Sequence, residues 1–256
     1  MSLRCASLGS GSRGNALLLA TSQTCLLVDC GFPAREIERR LGALGVDPQS
    51  LDAILVTHEH GDHIRGVGAM ARRYGLQVWT TAGTRRAGNL GRVADLRRID
   101  CHEGWFSLGD LAVLPFPVPH DALEPCQFLF KLGRHRLGLL TDTGHITPHI
   151  RENLMECDAL VLEFNHDSEM LAKGPYPPGL RARVGGRQGH LSNAQAIDLL
   201  KQLPLPRIRH LLASHLSETN NCEERVRHSL SQALPSLLGR LHFARQDEVS
   251  GWFEVD

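Results

Sequence analysis

The heptapeptide Thr57-His58-Glu59-His60-Gly61-Asp62-His63 constrains this chain more than any other stretch. It follows Ala53 to Val56, a short apolar run that reads as a buried strand. His58, His60, Asp62 and His63, four potential metal ligands, thus fall within six residues at a strand end. Alternate residues of an extended segment point the same way, so His58 and His60 can converge on one ion. Gly61 then turns the chain, and Asp62 with His63 can reach a second ion nearby. Imidazole and carboxylate donors suit zinc, iron or manganese, and a catalytic site keeps a coordination position open for water. A strand that delivers three histidines and an aspartate into one turn argues against a plain solvated histidine-rich loop. The expectation is a metal site, with room for two ions.

At 256 residues and 42% hydrophobic, the chain can bury one sizeable core, and length alone also allows two half-domains. Its 28 basic and 28 acidic residues cancel, so net charge gives no reason to expect a nucleic-acid or membrane partner. Nearly all the cations are arginines, Lys131, Lys173 and Lys201 being the lysines. Arginine makes bidentate phosphate contacts that lysine cannot, although a GC-rich genome produces the same bias. The seven cysteines are scattered with no C-x-x-C pair, which indicates neither a disulfide framework nor a thiolate zinc site. Met1-Ser2-Leu3-Arg4 runs into a strand and a glycine turn without a signal-peptide pattern, and no apolar run is long enough to span a bilayer. A soluble, cytoplasmic chain without membrane contact is expected.

Short apolar runs alternate with helical patterns. Ala16 to Ala20 and Cys25 to Asp29 read as paired strands, and further strands are expected at Gln77 to Trp79, Ala112 to Phe116, Gln127 to Leu132, Arg136 to Leu140, Ala159 to Glu163 and His210 to Ala213. Helices are expected at Arg35 to Leu44, Ile64 to Arg73, Asn193 to Gln202 and Glu223 to Leu238. Lys173 to Gly189, rich in Gly, Pro and Arg, reads as one long irregular stretch. Strands in both halves with flanking helices predict an α/β fold, an αββα sandwich of two mixed sheets between helical layers.

The metal-ligand segment matches the H-x-H-x-D-H signature of the metallo-β-lactamase superfamily, and other motifs of that superfamily follow in order. Pro119-His120-Asp121, Thr141-Asp142-Thr143-Gly144 and Ser214-His215-Leu216-Ser217 each follow a strand. The chain resembles that superfamily over essentially its whole length, so residues 1–256 read as one domain of this type. The resemblance implies one metal held by His58, His60 and His120 and another by Asp62, His63 and His215, with Asp142 bridging. It also implies hydrolase chemistry, in which paired metals lower the pKa of a bridging water and clamp the oxygens of the scissile group. Asp62 is expected to orient that nucleophile as well as bind metal.

The surroundings narrow the substrate. Val118-Pro119-His120-Asp121-Ala122 lacks the Gly-His-Thr or Gly-His-Ser context of lactamase and glyoxalase II relatives. Leu8-Gly9-Ser10-Gly11-Ser12-Arg13-Gly14-Asn15, Glu163-Phe164-Asn165-His166-Asp167, Gly174-Pro175-Tyr176-Pro177 and Gly189-His190-Leu191-Ser192-Asn193 are similar to the YycJ/WalJ-type nuclease family, as are Asn220-Asn221 and Gln246-Asp247-Glu248. That resemblance implies a 5′-to-3′ exonuclease with DNA as partner, a ribonuclease being the nearest variant. A hydrolase of a small ester, thioester or cyclic phosphodiester is the alternative. In related tRNA-processing nucleases a Glu–His pair serves the leaving group, and Glu163 with His190 match its positions. Ser10, Ser12, Asn15, Asn193 and Arg187 are candidate substrate contacts, and Tyr176, Arg181 and Arg183 share the loop with Arg187. The spacing from Asp142 to His215 leaves little room for a separate nuclease cap domain. An open groove is expected, or one completed by a partner chain, as in a dimer.

Overall fold

Runs of three to seven mostly apolar residues form the strands of two sheets in the computed structural model, which describes residues 2–255. The first half supplies β1 (Leu3–Gly9), β2 (Ala16–Ala20), β3 (Cys25–Val28), β4 (Ala53–Leu55), β5 (Gln77–Thr81) and β6 (Leu96–Ile99). The second half supplies β7 (Phe106–Leu108), β8 (Leu111–Pro117), β9 (Cys126–Leu132), β10 (His135–Leu140), β11 (Ala159–Glu163), β12 (His210–Ser214) and β13 (Leu241–Phe243). A last strand, β14 (Phe253–Val255), returns to the first sheet and pairs antiparallel with β1, Leu3 opposite Val255. The described residues therefore form two seven-stranded sheets, ordered β14-β1-β2-β3-β4-β5-β6 and β13-β12-β11-β10-β9-β8-β7. Both are mixed. Hairpins make one half of each antiparallel, while β3 to β6 and β10 to β13 run parallel through crossover connections.

Side-chain alternation builds three apolar layers from these strands. On β2, Leu17 and Leu19 face the opposite sheet, where Phe128, Phe130, Leu139 and Val161 meet them. Leu18 points outward and packs with Ile37, Leu41, Val67 and Met70. Those side chains belong to α1 (Ala34–Ala43) and α3 (Val67–Tyr74), which cover the first sheet. Leu160 and Leu162 of β11 likewise face outward, onto Ile150, Ile197, Leu200, Val226 and Leu230. These come from α5 (Pro148–Leu154), α8 (Asn193–Leu200) and α9 (Glu223–Ala233). The order of layers is αββα. Strands such as β2 and β11, covered on both faces, read as unbroken apolar runs for that reason.

Several boundaries differ from the sequence expectation. The helix expected over Ile64 to Arg73 is two pieces, α2 (Gly61–Ile64) and α3, which starts at Val67. Between them Gly66 donates its N–H to Cys30 O at 2.7 Å, and a Cβ there would lie 2.1 Å from Phe32 O. Close packing on a neighbouring loop overrides helical periodicity at that point. The helix expected to run to Leu238 ends at Ala233, and Pro235 opens a 3-10 turn. Proline lacks an N–H and disfavours helical geometry in the preceding residue. Lys173 to Gly189 is not irregular throughout. It holds the end of α6 (Ser168–Lys173), whose N-terminus is capped by Asp167, and all of α7 (Pro178–Val184), with proline in its first turn. A further short helix, α4 (Ala82–Ala87), and strands β6, β7, β13 and β14 carry too few apolar residues to show a period.

Candidate metal centre

The chemistry-bearing side chains hang from one end of the sandwich, where the parallel strands finish. Asp29 follows β3, His58 lies just beyond β4, and His120 comes shortly after β8. Asp142 follows β10, Glu163 ends β11 and His215 follows β12. Asp29, Asp142 and His215 adopt φ of +58°, +50° and +54°. Left-handed backbone is unfavourable for residues with a Cβ and gathers at functional sites. Here each turns the chain sharply off its strand.

Two ligand sets lie side by side. His58, His60 and His120 present nitrogen atoms within 4.8 Å of one another, as do the nitrogen and oxygen donors of Asp62, His63 and His215. His60 Nδ1 and His120 Nε2 are 3.3 Å apart. Asp62 Oδ2 is 3.4 Å from His63 Nε2 and 3.5 Å from His215 Nε2. Asp142 stands between the sets, with Oδ2 3.4 Å from His63 Nε2 and Oδ1 3.4 Å from His215 Nε2 and 4.0 Å from His120 Nε2. Asn15 Nδ2 reaches Asp62 Oδ2 and His63 Nε2, each at 3.1 Å. His58 Nε2, Asp142 Oδ2 and His215 Nε2 are buried with no hydrogen-bond partner among the described residues. An orphaned buried polar atom costs about 1–3 kcal/mol, so three in one cluster call for a common partner. Divalent metal ions fit that place in charge and donor type.

The far sides of the imidazoles are held by motif residues and by Asp29, to which the sequence reading gave no part in the site. His63 Nδ1 donates to Asp29 Oδ2 at 2.8 Å. Asp29 also accepts from the backbone N–H of Thr57 at 2.9 Å and from its hydroxyl at 2.8 Å. The Thr57 hydroxyl in turn accepts from His58 Nδ1 at 2.9 Å. His120 Nδ1 donates to Gly189 O at 3.0 Å, and Asn165 Nδ2 lies 3.1 Å from His215 Nδ1 and donates to the His215 backbone carbonyl at 3.0 Å. These bonds leave Nε2 of His58, His63 and His120 facing the cluster, the tautomer that a ligating histidine needs. The one local signal for Asp29 was a carboxylate closing an apolar strand.

The electrostatics divide the cluster: both carboxylates and two histidines are held in ligating form, whereas at His63 burial is outweighed by Asp142, Asp62 and Asp29, which raise it well above the ordinary histidine value. Burial opposes ionisation of Asp142, yet the surrounding imidazoles, His215 foremost, hold it well below the usual carboxylate range. Asp62 is likewise lowered, burial being outweighed by the charge of His63 and bonds from His215 and His63. Burial keeps His58 and His120 below the ordinary histidine value, and so neutral.

Beside the cluster, His190 Nδ1 lies 2.8 Å from Glu163 Oε1 and 3.5 Å from Asp142 Oδ1. Glu163 is fully buried, and its other oxygen accepts from the backbone N–H of Leu191 at 3.0 Å and of Thr143 at 3.2 Å. Burial pulls the pKa of His190 down, but the charge and hydrogen bond of Glu163 raise it above the ordinary value. His190 opens on a cleft of about 410 Å³ that also meets His60, Asp62, Asp142, Tyr176 and Arg183.

A family model described as a beta-lactamase superfamily domain matches residues 24–216. Exodeoxyribonuclease YycJ of Bacillus anthracis is 36% identical over 239 residues, covering 91% of this chain and 90% of that one. Exodeoxyribonuclease WalJ of Streptococcus pneumoniae (strain D39) is 36% identical over 222 residues, covering 85% and 82%. This chain belongs to the beta-lactamase superfamily and its YycJ-type hydrolases. The fold agrees: the metallo-beta-lactamase fold protein YhfI of Bacillus subtilis superposes with a TM-score of 0.77 at 17% identity, over 99% of this chain and 100% of YhfI.

For a superfamily member of this type, the structure sorts the candidate substrate contacts sharply. Ser12 is exposed and lines the metal cleft, and Arg187 is exposed on an adjoining one. Ser10, Asn15 and Asn193 are buried. Ser10 accepts from the backbone N–H of His215 at 2.8 Å, and Asn15 holds Gly11, Asp62 and His63. Asn193 exchanges two hydrogen bonds with Asn221, at 3.0 and 2.8 Å. Their polar atoms bond inside the protein, so in this structure these three hold the loops that carry the site. Asp167, at the end of the Glu163 to Asp167 motif, accepts from the Glu169 and Met170 N–H groups as the cap of α6.

Proposed function

We propose that this chain is a two-metal nuclease that degrades DNA from its 5′ end. The observation that carries the reading is the pairing of buried Glu163 with His190 beside the ligand cluster, His190 facing the same cleft. Hydrolysis of a phosphodiester needs a donor for the leaving oxygen, and a charge-paired histidine at a metal cleft answers that need. The names of the relatives, exodeoxyribonucleases YycJ and WalJ, support DNA as the substrate.

In this reading His58, His60 and His120 would hold one divalent ion and Asp62, His63 and His215 the other, with Asp142 within reach of both sets; zinc, manganese and iron all suit the donors. When bound, such ions supply Lewis acidity, acidifying water and clamping phosphoryl oxygens. Asp62, partly open to the cleft, accepts a hydrogen bond from the attacking water and sets its line of approach. His190 uses Nδ1 to bond Glu163, which leaves Nε2 to give its proton to the departing oxygen. Glu163 positions that ring and keeps it charged. Asp29 and Thr57 hold His63 and His58 so that ligand geometry survives each turnover.

A panel of 5′-phosphorylated and 5′-hydroxyl DNA and RNA, run with manganese and with zinc, tests the reading. Progressive loss of 5′-phosphorylated DNA from its 5′ end, abolished in Asp62→Ala, is expected. Turnover of small esters, thioesters or cyclic phosphodiesters with DNA left intact would overturn it. Preference for RNA would move the assignment to a ribonuclease.

A further inference from the structure

A second cleft, of about 520 Å³, adjoins the metal cleft and shares Asp121 and Arg183 with it. Beyond those two residues it is lined by Pro119, His145, Arg187 and Gln188, among others. Its lining carries one positive charge in excess, Arg183 and Arg187 standing against Asp121. Asp121 is the acidic residue on its wall, and Arg183 Nε neutralises it at 2.5 Å. Arg187 is exposed, with Nη2 3.3 Å from His145 Nε2. The formal charge of the whole chain is zero, so a local concentration of arginine is what could attract a polyanion here.

The segment that carries these arginines is fixed to the loops that carry the metal-cluster residues. His120 Nδ1 donates to Gly189 O at 3.0 Å, and the backbone N–H of Asp121 donates to Gln188 O at 3.0 Å. His145 Nδ1 donates to Arg187 O at 2.9 Å, just past Asp142 in the chain. A Cβ on Gly144 would come within 2.3 Å of the Arg187 carbonyl, so that loop lies flat against the segment. Arg187 therefore stands at a set distance from the metal cluster, as a residue that registers a polymer on a catalytic centre must.

We infer that this second cleft is the path of the nucleic-acid strand next to the scissile phosphate, with Arg187 as its phosphate contact and Arg183 at the junction of the two clefts. Arg183 is exposed over 60% of its side chain and can trade part of its bond to Asp121 for a phosphate oxygen. Guanidinium forks bind phosphate in this way, and backbone contacts of this kind hold register without reading sequence.

The inference rests on the nuclease reading, and one experiment separates the two. Wild type, Arg187→Ala, Arg187→Glu and Arg187→Lys are assayed with manganese on 5′-phosphorylated single-stranded DNA and on bis(p-nitrophenyl) phosphate, across a salt series. Loss of one charge-assisted phosphate contact is expected to raise KM for DNA about tenfold in Arg187→Ala, with kcat changed far less. The salt slope of DNA binding is expected to flatten by about 0.7 for the contact removed. The efficiency on DNA relative to the small diester falls in Arg187→Ala, falls further in Arg187→Glu and recovers in part in Arg187→Lys. Equal losses on both substrates, or no change in KM and salt slope, overturn the strand path. Wild type that cleaves the small diester and leaves DNA intact overturns the nuclease reading instead.

Discussion

Glu163 is ionisable, fully buried, and committed by three hydrogen bonds to His190, Leu191 and Thr143. Its charge is what raises the pKa of His190 against burial. A general acid works while protonated, so activity is present below that raised pKa and is lost as pH rises through it. Glu163→Gln keeps the shape and removes the charge. It is expected to lower kcat by about 10²-fold and to move the alkaline limb of the kcat–pH profile to lower pH. A profile with an unmoved alkaline limb would show that Glu163 is merely structural. Asp29 acts one bond further out, through His63 and Thr57. Asn tolerates its left-handed backbone, but its single acceptor oxygen cannot take the Thr57 N–H as well as the Thr57 hydroxyl and His63 Nδ1, which the carboxylate divides between two oxygens. Asp29→Asn is expected to weaken metal affinity about 10–100-fold, measured by competition with a chelating dye.

At the scale of elements, packing decides where periodicity is ambiguous. The sandwich, the apolar strands and α1, α8 and the start of α9 were readable because burial on one or both faces imprints a period on the residues. The break between α2 and α3 was not. It arises because Gly66 sits against Cys30 and Phe32, residues that share no local pattern with it. Gly66→Ala is expected to lower stability by about 1–3 kcal/mol through that clash, seen as a lower urea midpoint with an unchanged slope. A midpoint equal to wild type would mean that the loop of Phe32 yields freely. Helix α7 escaped reading for a different reason. It buries none of its own residues, so no apolar stripe marks it.

Across the whole molecule, the candidate ligand cluster draws on both sheets, with His58, His60, Asp62 and His63 from one and His120, Asp142 and His215 from the other. Metal binding is therefore expected to raise the thermal midpoint of the entire chain, and chelation to lower it. The gain depends on pH. Burial lowers the pKa of His215, but Asp142 and Asp62 together with Glu163 outweigh it and bring the metal-free value up to about 9. Below that pH a ligating His215 must first give up a proton, so the midpoint shift on adding zinc or manganese is expected to shrink as pH falls from about 9 toward 6.5. Thermal melts with and without metal over that range provide the check, and a shift independent of pH would exclude His215 as a ligand.

The spacing from His58 to His63 by itself determined that four donors meet at one strand end, because two-residue alternation and a glycine turn are local geometry. Apolar periodicity likewise determined two covered sheets, and the histidines and aspartates after later strands pointed to the same edge. Tertiary structure alone decided the rest. Asn15 meets Asp62 across 47 residues and Asp29 meets His63 across 34, contacts that no local pattern records. The same long-range packing turned Ser10, Asn15 and Asn193 inward, and placed Arg183 on the cleft of the site and Arg187 on the one beside it. Which polar groups are spent inside and which face the cleft is settled by what folds against them.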